Sequence, residues 1–252
     1  LEKADATVLD IDEVVRAEVD AKLADKARGL IGKIDDAAAD LNEAADLVSK
    51  AQPGLNDVDR KRAKATKAAI DERLTMLGVA NAILDANAKA GVALDPATKG
   101  WDTMLEGDRL ADAAVVEYNK LTKAGVSAST SLTADAEAKI RAGRALMSEA
   151  ATAFPEAGLK LYVEYADGKL ALLATSKKSN AAWLLGDITS ANKLISQYNA
   201  DEKTVIVIAK RLPESPARAV ADAYQKLAGA ATDTYFEARE RATKADATLK
   251  DM

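Results

Sequence analysis

Leu159-Lys160-Leu161-Tyr162-Val163-Glu164-Tyr165-Ala166-Asp167-Gly168-Lys169-Leu170-Ala171-Leu172-Leu173-Ala174-Thr175 is the stretch on which the fold turns. From Leu159 to Tyr165, apolar and polar residues alternate with period two, the pattern of a half-buried strand. Lys169 to Thr175 again reads as extended. Asp167-Gly168 stands between the two runs, and an Asp-Gly pair in that position is the strongest short-range signal for a β-hairpin. Lys203-Thr204-Val205-Ile206-Val207-Ile208-Ala209 is rich in β-branched residues and reads as a buried strand. Thr7 to Ile11 offers a fourth.

The remainder is helical in pattern. Ile11, Val14, Val15, Val19, Leu23, Ala27, Leu30, Ile31 and Ile34 recur at helical steps, and the stripe continues to about Lys50. Pro53-Gly54 stops it. Asn56 or Asp57 caps a second helix, which Gly91 ends. Asp95-Pro96 opens a third, to about Ala124. Ser127-Ala128-Ser129-Thr130-Ser131 reads as a loop, and Thr133 heads a fourth helix that ends before Phe154-Pro155. Asn180 to Asn199 and about Ala217 to Leu249 are also helical, with Pro213 and Pro216 marking a turn between strand and last helix. The fold class that follows is α+β and predominantly helical, with long amphipathic helices packed on a small sheet of about three or four strands containing one Asp-Gly hairpin. The domain expectation is a single domain over 1–252, with a subdivision into a helical part, 1–155, and a hairpin-helix-strand-helix part, 156–252.

Composition narrows the chemistry. The 252 residues include no Cys and no His, so a Ser-His-Asp triad, a thiol nucleophile, the usual zinc sites, His- or thiolate-ligated haem, iron–sulfur clusters and disulfides are all excluded. No cofactor and no catalytic or metal-binding residue is expected. The net charge is −5, with acidic and basic residues interleaved, which argues against nucleic acid as a partner. The most basic stretch, Asp59 to Lys67, reads as a solvated helix face. Alanine makes up roughly a fifth of the chain, well above average usage, and allows helices to approach closely. No apolar run approaches the ~20 residues that span a bilayer as a helix. The chain begins at Leu1, without an initiator Met or a signal peptide, and reads as a processed chain whose targeting signal lies outside it.

Val8-Leu9-Asp10-Ile11-Asp12-Glu13-Val14-Val15 resembles the first motif of the haloacid-dehalogenase-type phosphatases, a hydrophobic strand ending in Asp-x-Asp. The resemblance covers about eight residues. It implies Asp10 as phosphoryl acceptor, Asp12 as general acid, and Mg²⁺ alongside. Val14 departs from it, standing where the family usually has Thr, and Gly186-Asp187-Ile188-Thr189 lacks the second Asp of the late acidic motif. The competing expectation is that Asp10 or Asp12 caps the first helix. Gly29-Leu30-Ile31-Gly32-Lys33 does not have phosphate-loop spacing.

The Asn180–Asn199 helix carries the candidate binding residues Trp183, Leu184, Leu185, Ile188, Leu194, Ile195 and Tyr198, with few charges and with Trp and Tyr near its two ends. That is the composition of a helix lying at a membrane interface or against a partner. The function expected is a non-enzymatic envelope protein, an exported or lipid-anchored ectodomain of the bacterial periplasm or outer membrane. It binds membrane lipid or a protein partner through amphipathic helices. In composition it is similar to bacterial envelope lipoproteins. A helical scaffold or assembly protein, homo-oligomers included, is one alternative, and an Mg²⁺-dependent phosphatase using Asp10 and Asp12 is the other.

Overall fold

A computed structural model describes residues 2–252, and Leu1 lies outside them. Eight α-helices follow one another among the described residues, with no strand: α1 (Glu2–Arg16), α2 (Ala21–Ile31), α3 (Ile34–Ala51), α4 (Asp57–Tyr118), α5 (Lys123–Ala153), α6 (Lys160–Leu184), α7 (Ile188–Ala209) and α8 (Pro216–Lys250). The expected α+β fold with its small sheet is therefore corrected to an all-helical one.

The hairpin is α6. Tyr162 and Tyr165 have opposite parity, so a strand would send them to opposite faces. Both instead meet Trp101 of α4, with ring centroids 5.0 Å and 5.9 Å away. Lys169 continues the same face, its Nζ 2.9 Å from Asp108 Oδ1, while the Tyr165 hydroxyl donates to Asp108 Oδ2 at 2.5 Å. The steps from 162 to 165 to 169 are those of one helix face. The Asp-Gly pair serves this packing. Asp167 takes a two-pronged ion pair from Arg144 of α5, at 2.5 and 3.1 Å. Gly168 lets α7 come close, since a Cβ there would lie 2.8 Å from Val205 Cγ2.

The 203–209 strand is the last third of α7. β-Branched residues lower helix propensity by only a few tenths of a kcal/mol each, and the contact of Val205 with α6 outweighs that. Thr7 to Ile11, the offered fourth strand, lies within α1, where Ala4, Thr7, Val8, Ile11 and Val14 are buried at helical spacing. Ser127 to Ser131 is not a loop, because the cap sits earlier: Thr122 accepts from the Gly125 amide at 3.1 Å. Thr133 is inside α5 and donates to the Ser129 carbonyl. Gly91 and Asp95-Pro96 do not divide α4. A Cβ at Gly91 would clash with the Asp20 carbonyl oxygen, so this glycine is there for the close approach of the α1–α2 turn. Pro96 removes one backbone hydrogen bond, that to the Val92 carbonyl, and the helix continues through it. The stops at Pro53-Gly54 and at Phe154-Pro155 and the cap at Asn56 stand where the sequence put them.

Contacts divide the chain into two compact units: residues up to Val92 with Asp222–Met252, and Ala93–Ala221. The first is built from α1, α2, α3, the first part of α4 and most of α8. Ile11, Leu41, Leu77, Ile83, Leu84 and Tyr235 are fully buried in its core. Arg73 of α4 ties α1 to α8 through Asp5, at 3.1 Å, and Asp246, at 2.9 Å.

The second unit is an up-down-up-down bundle of the last part of α4 with α5, α6 and α7. The pairs fix the directions: Trp101 with Tyr162 and Tyr118 with Ser179 make α4 and α6 parallel, while Arg144 with Asp167 and Ser129 with Asn180 make α5 and α6 antiparallel. The α4–α5 turn and the α6–α7 turn therefore lie at one end of this bundle.

Candidate functional site

The turn end of the second unit gathers the unusual features. The expected single helix from Asn180 to Asn199 is broken there. Gly186 has φ 81°, and Asp187 caps α7 by accepting from the Ser190 amide at 3.0 Å. That amide hydrogen bond and the Ser190 side chain hold the Asp187 carboxyl below its ordinary value.

The break sorts the candidate residues into two groups. Leu184, Leu185 and Ile188 flank the turn and face solvent; Leu185 is 86% exposed and Ile188 46%. Ile195 and Tyr198 lie a few turns down α7 and wall a cleft inside the bundle. Trp183 and Leu194 are half-buried and belong to neither group.

The neighbouring turn adds further exposed apolar residues. Val115 and Val116 at the end of α4 are exposed, and Leu121 is 62% exposed. Leu121 also has φ 51°, a left-handed backbone that costs a non-glycine residue about 1–2 kcal/mol. Burial does not explain Leu121, and its backbone conformation would suit Gly better. The expected third helix, to about Ala124, covers both Val115 and Leu121, but the chain leaves the helix after Tyr118 with no Pro or Gly to mark the stop.

The cleft has a volume of about 270 Å³ and opens to solvent. Val115, Tyr118 and Asn119 line it from α4, and Ser129 from α5. Ser176, Ser179 and Asn180 line it from α6, and Ile195, Tyr198 and Asn199 from α7. None of these side chains is charged. Of the seven buried polar side chains among the described residues, Ser129, Thr133, Thr175, Ser179 and Asn180 lie in this unit, in the layers around the cleft. The Asn180 Nδ2 donates to Ser129 Oγ at 3.1 Å, and Ser179 Oγ donates to the Ala191 carbonyl at 3.3 Å. The Tyr118 hydroxyl is 3.4 Å from Ser179 Oγ and acts as donor in that pair. The Asn180 Oδ1 is buried and has no protein donor. Burial, and then the nearby Glu202, Asp112 and Asp108, push the Tyr198 phenol above its ordinary value, so it stays a neutral hydroxyl. Such a lining can bind an uncharged molecule. It supplies no carboxylate, amine or guanidinium for acid–base work.

No family model matches the chain, and no curated protein or solved structure matches it either.

In the first unit, Asp10 and Asp12 lie two residues apart on α1, about 200° around the helix from each other. Asp10 faces Lys26, at 3.9 Å. Asp12 is held by Arg239 Nε at 2.5 Å and by Arg16 at 3.6 Å. Two carboxylates on different faces do not share one cation, and neither caps α1. No group of three or more acidic residues is arranged to hold a metal among the described residues. Among the same residues, no helix is long and apolar enough to cross a membrane.

Proposed function

We propose that the protein is a non-catalytic binding protein of the bacterial envelope that docks reversibly on a membrane surface through the turn end of its four-helix unit. The observation that carries this reading is the exposure of Leu121, Leu184, Leu185 and Ile188 at two neighbouring turns. Fully burying an exposed side chain of this size is worth about 1.5–3 kcal/mol, and part of that area is already covered here. Four such residues give an attachment on the scale of a single acyl chain, which is weak and reversible.

Charge supports the same reading. Lys120, Lys123, Lys177, Lys178 and Lys193 lie within about two turns of the tip, against Asp112, Glu117 and Asp187. The local balance is basic although the chain is acidic, and each lysine near an anionic surface adds about 1 kcal/mol. The absence of Cys fits an oxidising compartment and supports the export element of the proposal. A helical assembly protein that uses the same tip against protein is the alternative.

The test is co-sedimentation with vesicles of mixed phosphatidylethanolamine and phosphatidylglycerol, at low and high salt. The wild-type protein sediments, less so at high salt, and the Leu185→Asp, Ile188→Asp double variant stays in solution with an unchanged helical circular-dichroism spectrum. A wild-type protein that stays in solution with every vesicle sinks the proposal. Self-association that the same substitutions abolish moves the tip to the assembly reading.

A further inference from the structure

We infer that the cleft between the four helices of the second unit is a binding site for a small, uncharged, ring-shaped molecule that donates a hydrogen bond. This goes beyond membrane docking and needs no membrane to be tested. Bundles commonly build ligand sites in their cores from side chains on facing helices. A core layer made for stability alone would be apolar or fully paired, since a buried polar group without a partner costs about 1–3 kcal/mol. Here Asn180 is 1% exposed, and its Oδ1 has no protein donor. Its Nδ2 donates to Ser129, which leaves the amide half-satisfied.

The remaining lining defines the ligand. At about 270 Å³ the cleft exceeds the engineered cavities of about 150 Å³ that hold a benzene ring, so it takes a substituted or bicyclic ring. Tyr118 of α4 and Tyr198 of α7 supply ring surface, and Val115 and Ile195 supply apolar contact. The lack of any charged lining residue disfavours an ion, which would be desolvated without compensation. The χ2 torsion of Asn180 is soft, so a modest turn brings Oδ1 to a donor on the ring. Such a donor would satisfy the orphaned acceptor, which is the discriminating contact.

The probe is indole, with indene as a control of the same shape that lacks the N–H, titrated into the full chain by amide-resolved NMR. Indole is expected to shift Ser129, Asn180 and Tyr198 saturably, and indene to bind about tenfold more weakly. Asn180→Leu removes the preference for indole over indene without lowering the melting temperature. Ile195→Trp fills the cleft and stops both from binding, which keeps the test open if Asn180→Leu folds poorly. Equal affinity of the wild type for indole and indene overturns the inference, as does the lack of any saturable shift, or unchanged binding in Ile195→Trp. Vesicle binding without indole binding overturns this inference alone and leaves the docking reading intact.

Discussion

Gly168 of α6 sits directly against Val205 of α7, so closely that a Cβ on the glycine would come within 2.8 Å of Val205 Cγ2. Val205 has a stiff χ1 in a helix and cannot easily turn away. Gly168→Ala therefore sets about 1–3 kcal/mol of overpacking against a gain of up to about 1 kcal/mol in helix propensity, and the net change is destabilising. In a Val205→Ala background the clash disappears, and Gly168→Ala becomes stabilising by up to about 1 kcal/mol. Urea unfolding of the four proteins in this cycle checks it, and additive effects would show that the two residues do not meet.

The same pair shows why the hairpin pattern does not make a sheet. Locally, Leu159 to Tyr165 alternates with period two and Asp167-Gly168 supplies turn chemistry, whereas Lys169 to Ala174 is a run of good helix formers without alternation. What selects helix is non-local: Trp101, Asp108, Arg144 and Val205 come from three other helices and meet Tyr162, Tyr165, Asp167, Gly168 and Lys169 only in the packed bundle. The helical character of the chain and several of its stops were legible, because Ala-rich stripes and Pro-Gly pairs act within a few residues. Exposure of Leu184, Leu185 and Ile188 could be read as an apolar excess near Trp183. The cleft could not, since four helices each contribute part of its wall, and the Ser127–Ser131 stretch beside it resembled a loop by composition.

Gly143 and Gly78 separate packing from propensity. A Cβ at Gly143 would lie 2.5 Å from the Gly100 carbonyl oxygen and 2.6 Å from Met104 Cγ, so α4 and α5 meet there backbone to backbone. Gly143→Ala is expected to cost roughly 1–3 kcal/mol, because backbone cannot step aside as a side chain can. Nothing lies within 4 Å of a Cβ at Gly78, in the interior of α4. Gly78→Ala should stabilise by about 0.5–1 kcal/mol. Melting curves displaced in the same direction for both variants would contradict this account.

Asp10 and Asp12 should respond unequally. Asp12 is mostly buried and holds Arg239 of α8, so Asp12→Asn weakens the attachment of α8 to α1 and is expected to cost about 1–2 kcal/mol. Asp10 is half-exposed and 3.9 Å from Lys26, so Asp10→Asn stays within about 0.5 kcal/mol of wild type. Denaturant midpoints measure both. Equal losses would mean that the two carboxylates share an environment, contrary to their opposite faces on α1.

Leu121 offers a trade between stability and attachment. Its left-handed backbone is strained for leucine and free for glycine. Leu121→Gly is expected to raise unfolding stability by up to about 1 kcal/mol and to weaken vesicle binding, since it removes an exposed apolar side chain from the tip. A variant that gains stability and binds vesicles as well as wild type would take Leu121 out of the docking surface.

Alkaline unfolding should be governed by the buried tyrosines. Tyr162 is fully buried and donates to the Pro213 carbonyl at 2.8 Å, and burial pushes its phenol from an ordinary 10.0 up to about 12. Burial also raises Tyr165, helped by the bond to Asp108, and Tyr235, helped by the charge of Asp12. Below about pH 10 a tyrosine is protonated in both states, so this stabilising contribution is wholly present. Between about pH 10 and pH 12 the unfolded chain ionises Tyr162 while the folded chain does not. The unfolded state then binds fewer protons, and stability falls as pH rises, by up to about 1.4 kcal/mol per pH unit for each such residue. Tyr162→Phe loses a hydrogen bond worth about 1 kcal/mol at neutral pH, but its stability should decline less steeply above about pH 10. Denaturation series across this range for wild type and variant test the difference. Parallel declines would mean that the Tyr162 hydroxyl ionises as freely in the folded protein as in the unfolded chain.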